Sequence, residues 1–318
     1  MINHKRFDIV SIGEPMGEFN QIRKDDLHYL FGHGGDTSNA VIAAARAGAK
    51  TAYLTAVGDD TFGHSFMALW KREGVDTSGV RINREAHTGV YFVTHGKNGH
   101  DFSYLRAGSA ASRMTANDLD HTMIQNARAL HVSGISQAIS ANACDMVFAA
   151  IETARQAGTS ISYDPNLRLR LWPLARARAI VEETAGMIDI MRPGLDDARQ
   201  LTGLEAPDAI ADHYLRRGCR IVAMTLGKDG ALIATPDERR IVPSLTVKAV
   251  DATGAGDCFG GNFLTEWLNT GDPFQAGAFA AAAAALSTTG FGAVEPLPER
   301  ADVLHAMKNH AMKNSVVG

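Results

Sequence analysis

The sequence predicts an α/β protein in which helices cover both faces of a mostly parallel sheet. Short apolar strands alternate along the chain with helices of ten or more residues, which is the order that parallel strands require. Two segments, 14–33 and 85–106, break this order because they lack helical periodicity. No Pro- or Ser-rich linker is present, which favours one core with an inserted flap over two domains. We expect a core of residues 1–13, 34–84 and 107–318, and a small β lid formed by the two excursions.

The first elements follow from the N-terminal pattern. The run FDIVSIG, residues 7–13, is apolar and ends at glycine, as a buried strand does. The segment TSNAVIAAARAG predicts a helix with Thr37 or Ser38 as its N-cap and Gly48 as its end. The run TAYLTAVGDD then predicts a strand, and FGHSFMALWKREG predicts a helix that Gly74 closes.

The second excursion contains a hairpin. In GVYFVTHGKNGHDFSYLR, the turn KNG separates two runs rich in aromatic and β-branched residues. Tyr91 lies in the first run, and Tyr104 and Arg106 lie in the second. Because Tyr104 and Arg106 are two residues apart, they face the same side of a strand.

The C-terminal half repeats the helix–strand alternation. Helical segments precede strands in three pairs: NACDMVFAAIETARQAG and TSISYDP, RAIVEETAGMID and IDIMRP, DAIADHYLRRG and RIVAMTLG. The run LTVKAV, residues 245–250, predicts another strand, and CFGGNFLTEWLNT predicts a helix that ends at Gly271.

Composition excludes several classes of protein. The 318 residues carry a net charge of −4, which provides no basic field for nucleic acid or an anionic membrane. Three cysteines, far apart in the chain, indicate neither a disulfide framework nor a zinc site. The N-terminus lacks the apolar block of a signal peptide, and the alanine-rich run 278–287 is too short to span a membrane. We expect a cytoplasmic protein.

The string DATGAGD carries the strongest chemical signal. Gly254, Ala255 and Gly256 would lie at the start of a helix, where free N–H groups and the helix dipole favour an anion. Asp257, in the first helical turn, could accept a proton from a hydroxyl that attacks a bound phosphate. An ordinary tight turn with an N-terminal acid fits the same string. Walker, dinucleotide, serine-hydrolase and zinc-protease motifs do not occur at their required positions.

Two further glycine strings admit both a binding and a structural interpretation. GHGGDTSNA, from Gly32, lets a ligand approach the backbone closely, and its Asn39 offers a donor and an acceptor; a plain helix start fits as well. TLGKDGAL, from Thr225, is more typical of a hairpin when taken alone.

Together these strings resemble the ribokinase-like carbohydrate kinases of the PfkB family. GGDTSN looks like the first family motif, VGDDTFG is another family string, and DATGAGD looks like the second motif. The resemblance covers nearly the whole chain. It implies a three-layer α/β/α sandwich with a small β-sheet lid, and ATP-dependent, Mg²⁺-assisted phosphorylation of a sugar hydroxyl.

The resemblance also implies roles for individual residues. Asp257 matches the catalytic base, and the backbone N–H groups of Gly254, Ala255 and Gly256 match the anion hole for the transferred phosphoryl. The nucleotide-binding turn corresponds to Thr225, Gly227 and Gly230, together with Gly254 and Gly256. The sugar-facing set corresponds to Glu18, Gly34, Gly35, Asn39, Tyr91, Tyr104, Arg106, Asp164, Asn166 and Arg168.

The chain departs from the family pattern at the motif N-x-x-E. Here RPGLDDARQLTG places Gly194 at the Asn position and Asp197 at the Glu position. Asp197 could still hold Mg²⁺ through water. Ala252 replaces a common Thr, and Thr37 replaces a smaller residue.

The substrate class is inferred from the sugar-facing residues. GEPMGEF with Glu18, YLR with Arg106, and DPNLR with Arg168 look most like the 2-keto-3-deoxygluconate kinases. A substrate carboxylate would give both arginines a partner, since the guanidinium fork matches that group. A fructokinase or ribokinase acting on a neutral sugar is the alternative, and a non-catalytic sugar or nucleotide sensor is the second. An exposed edge of the lid makes a homodimer plausible.

Overall fold

The computed structural model describes residues 5–23, 26–96 and 99–316. The strands of this part of the chain are β1 Phe7–Ile12, β2 Met16–Gln21, β3 Tyr29–Gly34, β4 Thr51–Gly58, β5 Val80–Asn83, β6 Gly89–Gly96, β7 Gly99–Leu105, β8 Ala127–Ser133, β9 Ser160–Asp164, β10 Ile190–Met191, β11 Ile221–Thr225, β12 Ala231–Ala234 and β13 Arg239–Val242. The helices are α1 Asp36–Arg46, α2 Thr61–Arg72, α3 His121–Gln125, α4 Gly134–Ala138, α5 Ala141–Gln156, α6 Leu174–Ala185, α7 Leu195–Thr202, α8 Pro207–Arg216, α9 Ala255–Thr270, α10 Pro273–Ser287 and α11 Arg300–Val316.

Nine strands form the central sheet in the order β13-β12-β11-β10-β9-β8-β1-β4-β5. The pairs from β11 to β5 are parallel, and β12 and β13 add an antiparallel edge. This arrangement confirms the mostly parallel α/β sheet. Because carboxyl ends of parallel strands meet at one edge, residues that follow β1, β8, β9 and β10 come together there.

Helices cover both faces of this sheet. Val10 and Ile12 of β1 belong to the apolar cluster that also includes residues of α5, α6 and α8. Ile9, on the opposite face of the same strand, packs in a cluster with residues of α1, α9 and α10. The alternation along β1 therefore separates two layers of helices, which is the three-layer sandwich.

The remaining four strands form a separate sheet in the order β3-β2-β6-β7. Both segments that lack helical periodicity contribute to it, and β6 and β7 pair antiparallel, as the hairpin signal predicts. Lys97 and Asn98 of the KNG turn lie outside the described residues. On one side of this sheet Phe19 stacks on Phe92, with ring centroids 4.9 Å apart, and meets Phe62 of α2. The domain boundaries themselves stay a prediction.

Two local predictions are wrong. Helix α1 begins at Asp36 with Gly35 as its N-cap residue, so Thr37 and Ser38 lie inside the helix. Both hydroxyls form hydrogen bonds in the core instead. Thr37 Oγ1 lies 2.8 Å from Tyr53 Oη, and Ser38 Oγ accepts from Trp70 Nε1 at 3.0 Å. Residues 245–250 pair with no strand in the described part of the chain and run as an irregular segment. Within the described residues, no helix is long and apolar enough to cross a membrane.

Candidate active site

The N-terminus of α9 is shaped as a cradle for an anion. Gly254 is its N-cap and has φ 76°, a conformation that side chains rarely adopt. A Cβ at this position would lie 3.0 Å from the Ala293 carbonyl oxygen. The Ala255 N–H donates to the Ala252 carbonyl (3.2 Å). Among the described residues, the N–H groups of Gly254 and Gly256 have no backbone acceptor, so they are available to a bound phosphate.

Asp257 lies in the first turn of the same helix and is held by Asn39 of α1. Asn39 Nδ2 donates to Asp257 Oδ2 at 2.9 Å, which joins two segments 218 residues apart. Burial raises the pKa of Asp257 well above its ordinary value, and the negative charge of Asp36 adds to this effect. The Asn39 hydrogen bond and the positive charge of Arg168 act in the opposite direction. A carboxylate with a raised pKa is a better proton acceptor.

A second carboxylate stands beside this pair at the end of β9. Burial raises the pKa of Asp164 to about 6, although the positive charge of Arg192 opposes that rise. The Asn166 N–H donates to Asp164 Oδ1 (3.0 Å), and Asn166 Nδ2 lies 3.4 Å from Asp36 Oδ2. Asn166 has φ 36°, which turns the chain sharply after the strand. The predicted residues Asp164 and Asn166 are thus brought to the same edge as Asp257.

The loop after β9 connects this edge to α7. The Leu167 N–H donates to Asp197 Oδ2 at 2.9 Å, and burial raises the pKa of Asp197. Arg168, exposed at the surface, donates through Nη1 to the Leu167 carbonyl (2.9 Å). Its charge lowers the pKa values of both Asp197 and Asp257, which places the guanidinium near both carboxylates.

The lid presents a second group of predicted residues on one face. The Tyr91 hydroxyl donates to Glu18 Oε2, and burial raises the pKa of Glu18. Gly34 packs against the Tyr91 ring, where a Cβ would lie 2.7 Å from the hydroxyl oxygen. Tyr104 lies opposite Tyr91 on the neighbouring strand, with ring centroids 5.9 Å apart. These side chains give the lid a polar, aromatic surface, which is typical of the walls of small-molecule sites.

Arg106 has a protein partner that the sequence does not reveal. Its Nε donates to Glu14 Oε2 at 2.8 Å, its Nη2 contacts the same oxygen, and the Ser109 hydroxyl donates to the other oxygen. Glu14 is only 1% exposed, so this is a buried ion pair. The guanidinium also lies 5.9 Å from the Tyr104 ring centroid, on the face that the spacing predicts. Glu14 is visible in GEPMGEF, but only the fold shows which arginine it binds.

Four of the five predicted nucleotide-binding residues line one cavity of about 530 Å³, and Gly254 is not among its lining residues. Thr225, Gly227 and Gly230 form its wall together with Ala255 and Gly256. Four residues of the irregular segment 245–250 also line it, and α10 contributes small side chains, so most of the lining is apolar. The remaining lining residues are Lys228, Ser244, Leu245, Thr246, Val247, Ala249, Ala252, Phe259, Ala281, Ala284, Ala285 and Thr288.

This cavity fits a nucleotide. Its volume lies within the usual range for small-molecule sites, and Gly256, whose N–H is free, is one of its lining residues. Among the described residues, no group of three or more His, Cys, Asp or Glu side chains could hold a metal ion. The residues present therefore fit Mg²⁺ only as an ion carried mainly by phosphate oxygens and water, which is its usual preference.

Two further charged residues complete the site. Asp36, in the first turn of α1, acts on the pKa of both Asp164 and Asp257. Arg192, which follows β10, is 3% exposed and acts on the pKa of Asp164. Asp36 stands inside GGDTSN, so the motif could have indicated it. Arg192 carries no sequence signal beyond its place at a strand end.

Comparison with protein families supports the resemblance found in the sequence. Residues 6–300 match the model of the pfkB family carbohydrate kinases. The chain is 34% identical over 306 residues to 2-dehydro-3-deoxygluconokinase of Bacillus subtilis (strain 168), covering 93% of this chain and 94% of that protein. It is 32% identical over 319 residues to fructokinase-2 of Solanum lycopersicum, covering 95% and 97%.

A solved structure extends the comparison to the fold and its ligands. An E. coli protein in complex with ATP and Mg²⁺ superposes with a TM-score of 0.88 and 25% identity, over 95% of this chain and 99% of that chain. The family therefore uses ATP and a divalent metal ion. Because sugar-acid and fructose kinases are similar to this chain to nearly the same degree, the comparisons leave the sugar open.

Proposed function

This chain belongs to the pfkB family of carbohydrate kinases, and we propose that it transfers the γ-phosphoryl group of ATP to a sugar acid. The substrate that the site fits best is 2-keto-3-deoxygluconate, with its 6-phosphate as product. The observation that carries the proposal is the pair of neighbours of Asp257: Asn39, which is predicted to face the sugar, donates a hydrogen bond to it, and Gly256, the preceding residue, lines the cavity.

The residues divide the reaction between them. Asp257 accepts the proton of the sugar hydroxyl, whose oxygen forms a bond to the γ-phosphorus while the bond from that phosphorus to the β-γ bridging oxygen breaks. The N–H groups of Gly254 and Gly256 stabilise the charge on the transferred group. Asn39 holds the carboxylate in place. Asp197 is the residue that would hold Mg²⁺ through water, and the ion would supply positive charge to the phosphate oxygens.

The sugar-acid assignment depends on the two arginines. Arg168 is exposed and places its positive charge near Asp257. Arg106 uses Nε and Nη2 for Glu14, and its Nη1 has no hydrogen bond among the described residues, which leaves Nη1 for a ligand. Tyr91, Tyr104 and Glu18 supply hydroxyl and carboxylate groups for the sugar chain.

A neutral sugar is the second candidate, and one observation favours it. Glu14 already neutralises Arg106 inside the protein, so of these two arginines only Arg168 has no ion pair among the described residues. A site with one unpaired guanidinium prefers a sugar acid over a neutral sugar less strongly than a site with two unpaired guanidinium groups. Fructose is the neutral sugar to test, given the similarity to a fructokinase.

The substrate is tested by measuring ADP release from Mg-ATP with 2-keto-3-deoxygluconate, fructose and ribose. We expect the highest kcat/KM with 2-keto-3-deoxygluconate, and a product with the phosphate on O6. A higher kcat/KM with fructose or ribose would overturn the sugar-acid assignment. The absence of turnover with every sugar, with nucleotide still bound, would favour the non-catalytic sensor.

The proposed partners are therefore ATP, Mg²⁺ and a sugar acid, together with a second copy of the chain. Strands β3 and β7 are the edges of the lid sheet. Leu30 of β3 is 63% exposed and Leu105 of β7 is 61% exposed. Exposed apolar side chains on open sheet edges favour pairing with another sheet.

A further inference from the structure

The buried Arg192 has no part in the reaction scheme above. Its backbone N–H donates to the Tyr163 carbonyl (2.9 Å), which continues the pairing of β10 with β9. Its Nε donates to Ser162 Oγ at 2.9 Å, and its Nη2 lies 3.3 Å from both ring nitrogens of His131. Among the described residues, no carboxylate lies within ion-pair distance of this guanidinium, although the side chain is only 3% exposed.

Gly260 shows where the guanidinium lies relative to Asp257. A Cβ at Gly260 would lie 1.7 Å from Arg192 Nη1 and 2.4 Å from Cζ, so the guanidinium occupies the space of a side chain at this position. Asp257 and Gly260 are three residues apart in α9 and therefore share a face of the helix. The guanidinium thus lies one helical turn from Asp257, on the same side.

Asp164 lies on the other side of Arg192. Met191 pairs with Tyr163 in the parallel register of β10 and β9, so the next residues, Arg192 and Asp164, are neighbours at the ends of these strands. Arg192 is therefore held between the strand that ends in one carboxylate and the helix that begins with the other.

Titratable groups on several elements act on Asp257 or are acted on by it, and Tyr91 of β6 is one of them. Asp36 of α1 and Asp164 of β9 are negative, whereas Arg168 and Arg192 are positive. His131 of β8 adds no charge, because burial lowers its pKa well below the ordinary value. Burial likewise lowers the pKa of Arg192, and the three nearby carboxylates oppose that change. A buried guanidinium persists only when such charges offset the loss of its hydration.

We propose that Arg192 is a positioning residue whose buried positive charge keeps Asp257 ionised, and so able to accept the sugar proton. The proposal rests on the proposed role of Asp257 as the base. Charges interact more strongly in the protein interior than in water, and salt screens them less. Arg192 therefore acts on Asp257 differently from Arg168, which is exposed to solvent. Ser162 and His131 fix the guanidinium, and Gly260 leaves the space for it.

The test compares kcat/KM across pH for the wild type and for Arg192→Met. Without the buried charge, Asp257 stays protonated up to a higher pH, so the acid limb of the kcat/KM profile moves to higher pH. A move of the acid limb by about one pH unit changes the ionised fraction of Asp257 roughly tenfold at low pH. We therefore expect the ratio of wild-type to variant kcat/KM to be roughly ten times larger near pH 6 than near pH 8.5. The same titration of ATP occurs in both proteins and cancels in the ratio. A loss by one constant factor at every pH would indicate a merely structural role and overturn the proposal.

Two more variants keep the test decisive if Arg192→Met fails to fold. Arg192→Lys retains the charge, so its acid limb should lie closer to that of the wild type. Gly260→Ala displaces the guanidinium without removing it, so its acid limb should also move upward. Arg178, an exposed arginine of α6 that binds the Gln200 carbonyl, provides the matched control. Arg178→Met should leave the profile unchanged, and thermal unfolding reports the stability of each variant.

A readout independent of turnover separates this proposal from the proposed function. Carbon-13 NMR of aspartate carboxyl groups, with the Asp257 signal identified from Asp257→Asn, follows its titration directly. We expect the midpoint of that signal to rise in Arg192→Met. An unmoved midpoint would overturn the role of Arg192, even if Asp257→Asn is inactive. Full activity of Asp257→Asn would instead overturn the assignment of Asp257 as the base. The NMR midpoint would then still show whether the charge of Arg192 acts on the titration of Asp257.

Discussion

At the scale of single residues, the site depends on pairs that are distant in sequence. Asp257 stands in a recognisable motif, and its position at the start of a helix could be predicted. Its partner Asn39 is 218 residues away, and Glu14 is 92 residues from Arg106. Local patterns identify a chemical group, but they cannot show which group neutralises or holds it. The sequence therefore indicated both arginines, and only the fold shows that one of them is already paired.

Arg168 gives the clearest residue-scale prediction for the substrate. Arg168→Ala should reduce kcat/KM for 2-keto-3-deoxygluconate by roughly ten- to a hundredfold. This factor corresponds to the loss of one charge-assisted hydrogen bond, which contributes about 1.5–3 kcal/mol. The loss with fructose should be smaller, because only the effect of Arg168 on Asp257 is then removed. Steady-state kinetics with both sugars checks this, with Arg178→Ala as control. Equal losses would count against recognition of a carboxylate.

At the scale of secondary structure, periodicity predicted most helices and strands correctly. Its prediction of a strand at residues 245–250 was wrong. Alternating apolar residues indicate an extended chain, and they cannot show whether a partner strand is present. This segment lines the cavity instead. The start of α1 was missed for a related reason. Thr37 and Ser38 have the residue types of an N-cap, but their hydroxyls meet Tyr53 and Trp70 in the core.

Asp60 joins α2 to the first strand of the lid hairpin, and it yields a prediction about stability. Its carboxylate accepts from the Gly63 N–H that caps α2 and from the Thr88 N–H, both at 2.7 Å. Asp60→Ala should lower the free energy of unfolding by about 1–2 kcal/mol, as loss of a helix cap does. Denaturant unfolding measures this, with the exposed Asp237→Ala as control. An unchanged midpoint would contradict the role of Asp60.

The same carboxylate predicts how this stability depends on pH. Burial alone would raise the pKa of Asp60, but hydrogen bonds from Gly63 and Thr88 lower it below the ordinary value of 3.8. The stabilisation is therefore complete above that value and is lost as the pH falls through the folded-state pKa. The difference between wild type and Asp60→Ala should shrink below about pH 4. A constant difference down to pH 2 would contradict this linkage.

At the scale of the whole molecule, the lid is a separate sheet placed over the carboxyl edge of the main sheet. Its exposed edges carry Leu30 and Leu105, which underlie the expected dimer. Light scattering should give twice the 34.0 kDa chain mass for the wild type. Leu30→Asp should shift the population toward the monomer, because a charge on an edge strand opposes pairing. A monomeric wild type would contradict this assembly.

The proposed phosphoryl transfer depends on Asp257 as the group that accepts the sugar proton. The most direct measurement is the turnover of Asp257→Asn with Mg-ATP and 2-keto-3-deoxygluconate, together with the affinity for ATP. Asparagine keeps the shape and the contact with Asn39 but cannot accept the proton. We expect kcat to fall by about 10²–10⁴, as for the loss of a general base, while ATP binding stays within a few-fold of the wild type. Near-normal turnover would contradict the role of Asp257 as the base.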